Sequence, residues 1–302
     1  MPVSITFNVD PDLLKRCADI IGEPVVIDRD GRNDIQIVAT KYSVNANTKL
    51  IQGIYGSLDA LNLKDIPANV TVCSNPGAFT DSAAEQAFAL ILSTMKKISY
   101  HNQRTHKRIF KKEPAVALKG KTIGIIGYGI LGSKIARIAK AFQMNVIGYG
   151  RKQPDDLIVD QYAASVARLL GMSDIAVICL PLTQSTRNLI NGDALNMFSG
   201  SILVNVARAD IVNKADLFWY LKRFPEKYYL ADVWWNEPAI TDDLPENCVL
   251  TPHEGSEVPA DFADAVVSAA RNVRNFLDGK VEHAVDPSEY YRFTKSIKSF
   301  NS

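Results

Sequence analysis

The chain has no closely spaced cysteine pair. Cys17, Cys73, Cys179 and Cys248 are scattered, with no CxxC among them. That spacing excludes a zinc ribbon, a thioredoxin-type motif and a disulfide framework, and it suits a reducing, cytoplasmic setting. Histidine is equally scarce, at four in 302 residues. No His/Cys/carboxylate cluster therefore has ligand spacing, and no metal is expected. Charge of one sign is lacking too: 34 Lys and Arg face 33 Asp and Glu. With no net field to gather it, nucleic acid is not an expected partner, and neither is an anionic membrane surface. No apolar run approaches the roughly 20 residues of a membrane helix, and the opening MPVSITFNVD lacks a basic region followed by an apolar signal core. Any partner must be recognised locally, by a few placed groups.

What is present is a large apolar fraction, 47% of 302 residues. A chain of this size usually divides into two domains. Short apolar runs alternate with longer amphipathic ones, the pattern of βα units and a parallel sheet. VSITFNV (3–9), PVVID, DIQIVAT, TKLIQGIYG and VTVCSNPGA read as strands. PDLLKRCADII (11–21) reads as a helix opened by Pro11, and SAAEQAFALILSTMKKI as a long helix capped by Thr80 or Asp81. Everything to about residue 98 looks like one small α/β unit. The next stretch, YHNQRTHKRIFKKEPAVALKGKT, is basic and weakly apolar and reads as a linker. It lacks interleaved aromatics, so its charge is a solvated face rather than a nucleic-acid surface, and His101 and His106 belong to that face.

KTIGIIGYGILGSKIARIAKAFQMNVIGYGRK (121–152) is more specific. It is an apolar strand, then Gly127-x-Gly129-x-x-Gly132, an amphipathic helix, and a second apolar strand. A GxGxxG set between strand and helix points to a dinucleotide: the glycines allow a tight turn and close approach of backbone to pyrophosphate. The helix opening at Ile130, Leu131 and Gly132 offers free N–H groups and a positive dipole end. At the end of the second strand, where an NAD site usually carries an acid for the ribose 2′-hydroxyl, stands YGRK, with Arg151 and Lys152 and no acid before Asp155. A guanidinium pairs with a 2′-phosphate where a carboxylate repels it, so NADP is expected, with NAD as the alternative if Arg151 only stacks on adenine.

Further strands, DIAVICLPLT, SILVNVARAD, YYLADVWWNEP and CVLTPH, bring Arg208, Asp232, Glu237 and His253 to or just past carboxyl ends, the edge where open α/β sheets bind ligands. These groups can reduce a 2-oxo acid with a nicotinamide. Arg208 suits the carboxylate and carbonyl, His253 suits proton donation, and Glu237 suits fixing the imidazole in its charged form. Phe79, Trp234 and Trp235 are candidates for an apolar part of the pocket; Trp234 and Trp235 alternate on a strand, so one of them faces the core.

In GIIGYGILG, CLPLTQSTRNLI, NVARADIV, ADVWWNEP and TPHEG, in this order and spacing, the chain resembles the D-isomer-specific 2-hydroxyacid dehydrogenases over nearly its whole length. The resemblance implies two doubly wound parallel-sheet α/β domains, Rossmann-like and flavodoxin-like, with a cleft between them. With it come a substrate domain at 1–98 plus 279–302, a dinucleotide domain at 99–278, and a homodimer. It implies an Arg208, Glu237, His253 triad, with Val206 and Asp232 at the nicotinamide and Pro181 and Thr186 in cofactor loops. YGSLDAL and NPGAFTDSAAE resemble the substrate loops, with amides around Gly56, Ser57 and Ala78 for the substrate carboxylate. Glyoxylate, hydroxypyruvate or a similar small acid is the expected substrate. A formate dehydrogenase-like enzyme or a dinucleotide-sensing binding protein on the same fold are the alternatives; Glu237, where formate enzymes generally carry glutamine, speaks against the former. Three departures stand out: Ala209 where glycine usually follows the arginine, Glu254 after the histidine, and one extra residue in YGSLDAL. Glu254 is expected to face solvent.

Overall fold

The computed structural model describes residues 1–290 except 65, 152 and 154–157. Lys152, Asp155 and the stretch 291–302 of the expected substrate domain lie outside the described residues. The described residues divide into two units: Met1–Phe79, Pro181–Ser185 and residues 256–290 form the first, and Thr80–Leu180 with Thr186–Gly255 form the second.

The first unit is built on five parallel strands, β1 (Val3–Ile5), β2 (Val25–Ile27), β3 (Ile35–Val38), β4 (Leu50–Gly53) and β5 (Thr71–Cys73), in the order β2-β1-β3-β4-β5. Both β3 and β4 are buried along their whole length, which is why they read as continuous apolar runs: a parallel sheet is covered on both faces. Helix α1 (Pro11–Ile21) has the limits its sequence signals set. The Asp10 carboxylate accepts from Leu13 N–H, Pro11 opens the first turn, and Gly22 at φ 73° closes the last by donating to Ala18 O. Its Leu13, Cys17 and Ile21 lie four residues apart and are buried, with Leu and Ile each contributing roughly 1.5–3 kcal/mol. They pack with Val3, Ile5, Ile35 and Ile37 and with Val266, Ala270 and Val273 of the chain's last helix, Pro259–Leu277. A second cluster, including Val38, Ile51, Leu58, Leu61 and Val72, gathers further residues of this sheet and of the loops after β4.

The second unit contains α2 (Thr80–Met95), α3 (Ile98–His106), β6 (Thr122–Ile126), α4 (Ile130–Ala141), β7 (Asn145–Tyr149), β8 (Gln161–Tyr162) and α5 (Val166–Met172), followed by β9 (Ile175–Ile178), α6 (Gly192–Asn196), β10 (Ile202–Asn205), α7 (Lys214–Arg223), β11 (Tyr228–Ala231) and β12 (Cys248–Leu250). The last helix is thus α8. Seven parallel strands run in the order β12-β11-β10-β9-β6-β7-β8. The chain winds outward from β6 through β8, returns to β9 on the other side of β6, and winds away again, so the direction reverses between β6 and β9. That switch point is where such sheets bind ligands. Among the described residues no helix is long and apolar enough to cross a membrane.

The division falls at 79/80 and 255/256, whereas the sequence reading set it at 98/99 and 278/279. Helix α2 buries Ala84, Ala87, Phe88, Ile91 and Met95 in the same cluster as Ile123, Ile135 and Val204 of the seven-stranded unit. Helix α8 buries its apolar stripe on the five-stranded unit. Periodicity shows that a helix has a buried face and says nothing of which sheet receives it. The basic stretch read as a linker is also corrected in part: residues 98–106 are helical, with no residue buried, and Lys97 and Tyr100 both bond Glu113.

Polar groups fix α8 in the first unit. Asn75, 4% exposed, donates to Ala265 O at 2.9 Å and Ile54 O at 3.3 Å and accepts from Ser268 Oγ at 3.0 Å. Asn75→Ala strands those buried partners and is expected to cost about 1–3 kcal/mol. Hydrogen exchange is expected to quicken in α8, β3 and β4 while the seven-stranded sheet keeps its protection; faster exchange in β9 and β10 instead contradicts the division.

Candidate active site

The glycine-rich turn joins β6 to α4. Gly127 takes φ 105°, and a Cβ there would lie 2.8 Å from Cys179 C and 2.9 Å from Leu180 N. A Cβ at Gly132 would come 2.6 Å from Gly127 O, so the third glycine is what lets α4 close on the strand. A Cβ at Gly129 would meet nothing within 4 Å. This turn fits a dinucleotide pyrophosphate: backbone with no side chain over it faces open space, and α4 begins at Ile130 with no side-chain cap on its first N–H groups. Arg151, just past β7, is exposed.

On the other side of the switch point, β10 ends at Asn205, whose buried amide shapes the loop that carries Arg208. Its Oδ1 accepts from Ala207 N–H at 3.0 Å and its Nδ2 donates to Arg208 O at 2.9 Å and Tyr229 Oη at 3.0 Å. Arg208 is half-buried, with Nη1 donating to Ala207 O at 2.8 Å. Ala209, in place of the usual glycine, opens a 3₁₀ turn over Ala209–Ile211 and is buried, a conformation that asks for no glycine. Val206 is half-buried against the core.

Asp232 follows β11 directly and is 3% exposed. Its Oδ1 accepts from Thr251 Oγ1 at 2.5 Å, Glu254 N–H at 3.0 Å and Gln86 Nε2 at 3.2 Å, and its Oδ2 accepts from Gly255 N–H at 2.7 Å. Gln86 also donates to Thr251 Oγ1 at 2.8 Å. A buried carboxylate is costly unless its oxygens are hydrogen-bonded, and here both are. Three of these four donors, Thr251, Glu254 and Gly255, come from the turn after β12, which is held with His253 at φ 61° and its N–H on Thr251 O; the fourth, Gln86, comes from α2. Glu254 extends into solvent, as expected.

His253 Nδ1 lies 2.8 Å from Glu237 Oε2, and Glu237 Oε1 accepts from Trp234 N–H at 2.5 Å. Burial pushes the Glu237 carboxyl up, but the His253 hydrogen bond and charge, the Trp234 N–H and the Arg208 guanidinium outweigh it and hold its pKa below the ordinary glutamate range. The structure thus brings Arg208, Glu237 and His253 into one electrostatic group within the second unit. Trp234 and Trp235 do not alternate on a strand. Pairing stops at Ala231, and both indoles are buried beyond it, ring centroids 4.8 Å apart, Trp234 also near Phe218 and Trp235 near Phe218 and Tyr229.

Other expected residues fall elsewhere. Gly56, Ser57, Ala78 and Phe79 belong to the first unit, as does Pro181, while Thr186 belongs to the second. A Cβ at Gly56 would lie 3.3 Å from Pro76 Cα, so the two expected substrate loops do meet. The Ala78 N–H, however, donates to Asn75 O at 3.0 Å and is spent inside its own turn. Phe79 stacks on Tyr55 at 5.4 Å. Gln86, Asn205 and Thr251 were missed. Only the polar interruption of an apolar stripe could have flagged Gln86.

Because the folded pKa of Glu237 is depressed, its ionised form adds stability above the unfolded glutamate value of about 4.3 and loses it as pH falls through the folded value. The thermal midpoint of wild type is therefore expected to exceed that of Glu237→Gln above about pH 5, the gap narrowing on acidification. A gap that widens in acid contradicts the assignment.

Residues 88–255 match the family model described as D-isomer specific 2-hydroxyacid dehydrogenase, NAD binding domain. Glyoxylate reductase of Pyrococcus furiosus is 31% identical over 75% of this chain and 71% of its own length. Hydroxypyruvate reductase of Thermotoga maritima is 31% identical over 74% of this chain and 76% of its own. Among solved structures, a glycerate dehydrogenase related protein from Thermoplasma acidophilum is 37% identical, with a TM-score of 0.69 over 92% of this chain and 100% of that one. With the glycine-rich turn at the switch point and the Arg208, Glu237, His253 group beside it, these matches place the chain in the D-isomer specific 2-hydroxyacid dehydrogenase family, as an oxidoreductase that transfers hydride between a nicotinamide cofactor and a small hydroxy acid.

Proposed function

We propose that the chain reduces small 2-oxo acids, glyoxylate and hydroxypyruvate foremost, with NADPH, through Arg208, Glu237 and His253. The observation that carries this is the Glu237 carboxylate, 2.8 Å from His253 Nδ1 and under the influence of the Arg208 guanidinium. A carboxylate at Nδ1 favours the tautomer that keeps a proton there, and leaves Nε2 as the nitrogen that gives or takes one. A bound nicotinamide supplies the hydride. Arg208 holds the substrate carboxylate and polarises the carbonyl with its planar fork. His253 donates its Nε2 proton as negative charge develops on the carbonyl oxygen, and accepts it back in the oxidative direction. Glu237 stabilises the imidazolium and fixes the ring.

The turn from Gly127 to Gly132, with the Ile130 and Leu131 amides, takes the pyrophosphate. Val206 borders the nicotinamide, and Pro181 and Thr186 border the cofactor loops. Asp232 Oδ1 takes three donors, and among the described residues Oδ2 takes Gly255 N–H, so its second acceptor position suits the carboxamide. Within the first unit, Gly56 and Ser57 carry amides of the kind a carboxylate needs, while the Ala78 N–H is spent on Asn75 O. Arg151 supports NADPH by its charge, and no acid stands beside it at Gly150. The relatives named above support the choice of substrate. A homodimer is the proposed assembly, supported by the exposure of the apolar Ile98, Ile109 and Phe110, the last 88% exposed. The cytoplasm is the assigned compartment, supported by four free cysteines.

His253→Ala is expected to cut kcat by about 10²- to 10⁴-fold with the cofactor Kd unchanged, and Arg208→Ala to damage KM and kcat together. Near-wild-type turnover in His253→Ala would place the proton donor elsewhere. A panel of 2-oxo acids assayed against both reduced cofactors tests the substrate and cofactor. Fastest turnover is expected with NADPH and the smallest acids; turnover with none of them favours a sensor.

A further inference from the structure

Gly148 and Gly150 lie two residues apart at the end of β7 and project to the same side. Tyr162 of β8 stands opposite Gly148 in register, and its side chain occupies the space both glycines leave. A Cβ at Gly148 would meet the Tyr162 ring carbons Cδ2 and Cε2 at 3.2 Å, and a Cβ at Gly150 would meet the Tyr162 hydroxyl oxygen at 2.8 Å. The phenol oxygen therefore crowds the point where a side chain of residue 150 would begin. The glycine-rich turn adjoins the same spot. The N–H groups of Gly127 and Tyr128 both donate to Tyr149 O at 2.8 Å, and a Cβ at Gly150 would lie 3.3 Å from Tyr128 N. In a site built for an unphosphorylated dinucleotide, this strand end carries the acid that holds the ribose 2′-hydroxyl. Here no acidic side chain can stand at 150 unless Tyr162 moves.

We propose that Tyr162 is a specificity-determining residue, its hydroxyl donating to the ribose 2′-phosphate of NADPH in the place that an acid takes in NAD sites. The inference rests on the NADPH reading and deepens it. A phosphate monoester carries up to two negative charges at neutral pH and needs donors; a phenol donates without the repulsion of a carboxylate. Burial, and then the neighbouring Tyr149 phenol, raise the Tyr162 pKa above the ordinary tyrosine range, so the proton stays in place to be donated. Arg151 is exposed, and water and salt screen its pull. Its charge draws the phosphate in without fixing its position. Tyr162 is half-buried, its ring filling the space that Gly148 and Gly150 leave, so it supplies the position.

Tyr162→Phe keeps the ring and removes the donor. Equilibrium Kd values for NADPH and NADH, from quenching of intrinsic fluorescence without substrate, give a readout independent of turnover. The NADPH Kd is expected to weaken roughly tenfold or more and the NADH Kd by less than about twofold. Gly150→Ala, which pushes the hydroxyl aside, is expected to show the same selective loss, and the double variant no further loss. Equal weakening of both cofactors, or an unchanged ratio in a wild type that prefers NADPH, overturns the role of Tyr162 while the NADPH reading stands. A wild type that binds NADH more tightly overturns both.

Discussion

A single buried carboxylate organises the catalytic half of the second unit. Asp232, at the end of β11, collects Thr251 Oγ1, the N–H groups of Glu254 and Gly255, and Gln86 Nε2 from α2. Leaving such a charge unpaired is costly, so each donor is held where the carboxylate needs it. Between Thr251 and Glu254 lies His253, at φ 61°, a conformation uncommon for a residue with a side chain. A Cβ at Gly255 would come 2.9 Å from Asp232 Oδ2, so glycine there is what allows the turn to close on the carboxylate. The ring's place opposite Glu237 follows from an anion that is not itself the acid or the base.

Two kinds of loop meet at the carboxyl edge of the seven-stranded sheet. On one side of the switch point, the turn after β6 exposes bare backbone suited to an anion. On the other, the loops after β10, β11 and β12 present a guanidinium, a carboxylate and an imidazole. In the proposed reaction this topology separates cofactor binding from proton transfer, and each loop is set by a different local device: glycines in the first, the Asn205 amide at Arg208, and the Asp232 carboxylate at His253. The His253 hydrogen bond and charge, the Trp234 N–H and, least, the Arg208 guanidinium hold the Glu237 carboxyl below the ordinary range, so side chains from distant segments act on one another here.

Much of this was legible in the residues. Helix α1 declared both of its ends through Asp10-Pro11 and Gly22, because capping is local chemistry. The GxGxxG turn and the strand-end positions of Arg208, Asp232 and His253 were equally readable, since short apolar runs mark strands and the chemistry lies just past them. The allegiance of α2 and α8 was not, because an apolar stripe fits either sheet. Trp234 and Trp235 misled for a related reason: they continue an apolar run beyond the point where β11 loses its partner. Gln86 gave no more than a polar interruption of an apolar stripe, since its meaning depends on Asp232, 146 residues away.

The central claim is that His253, fixed by Glu237, passes one proton to and from the substrate oxygen. Rates of the reductive and oxidative reactions across pH test it most directly. The account predicts mirror-image profiles governed by one ionisation, reduction failing as the pH rises through it and oxidation failing as the pH falls through it, with both dependences lost in His253→Gln. Profiles that move in the same direction, or that survive that substitution, would contradict it.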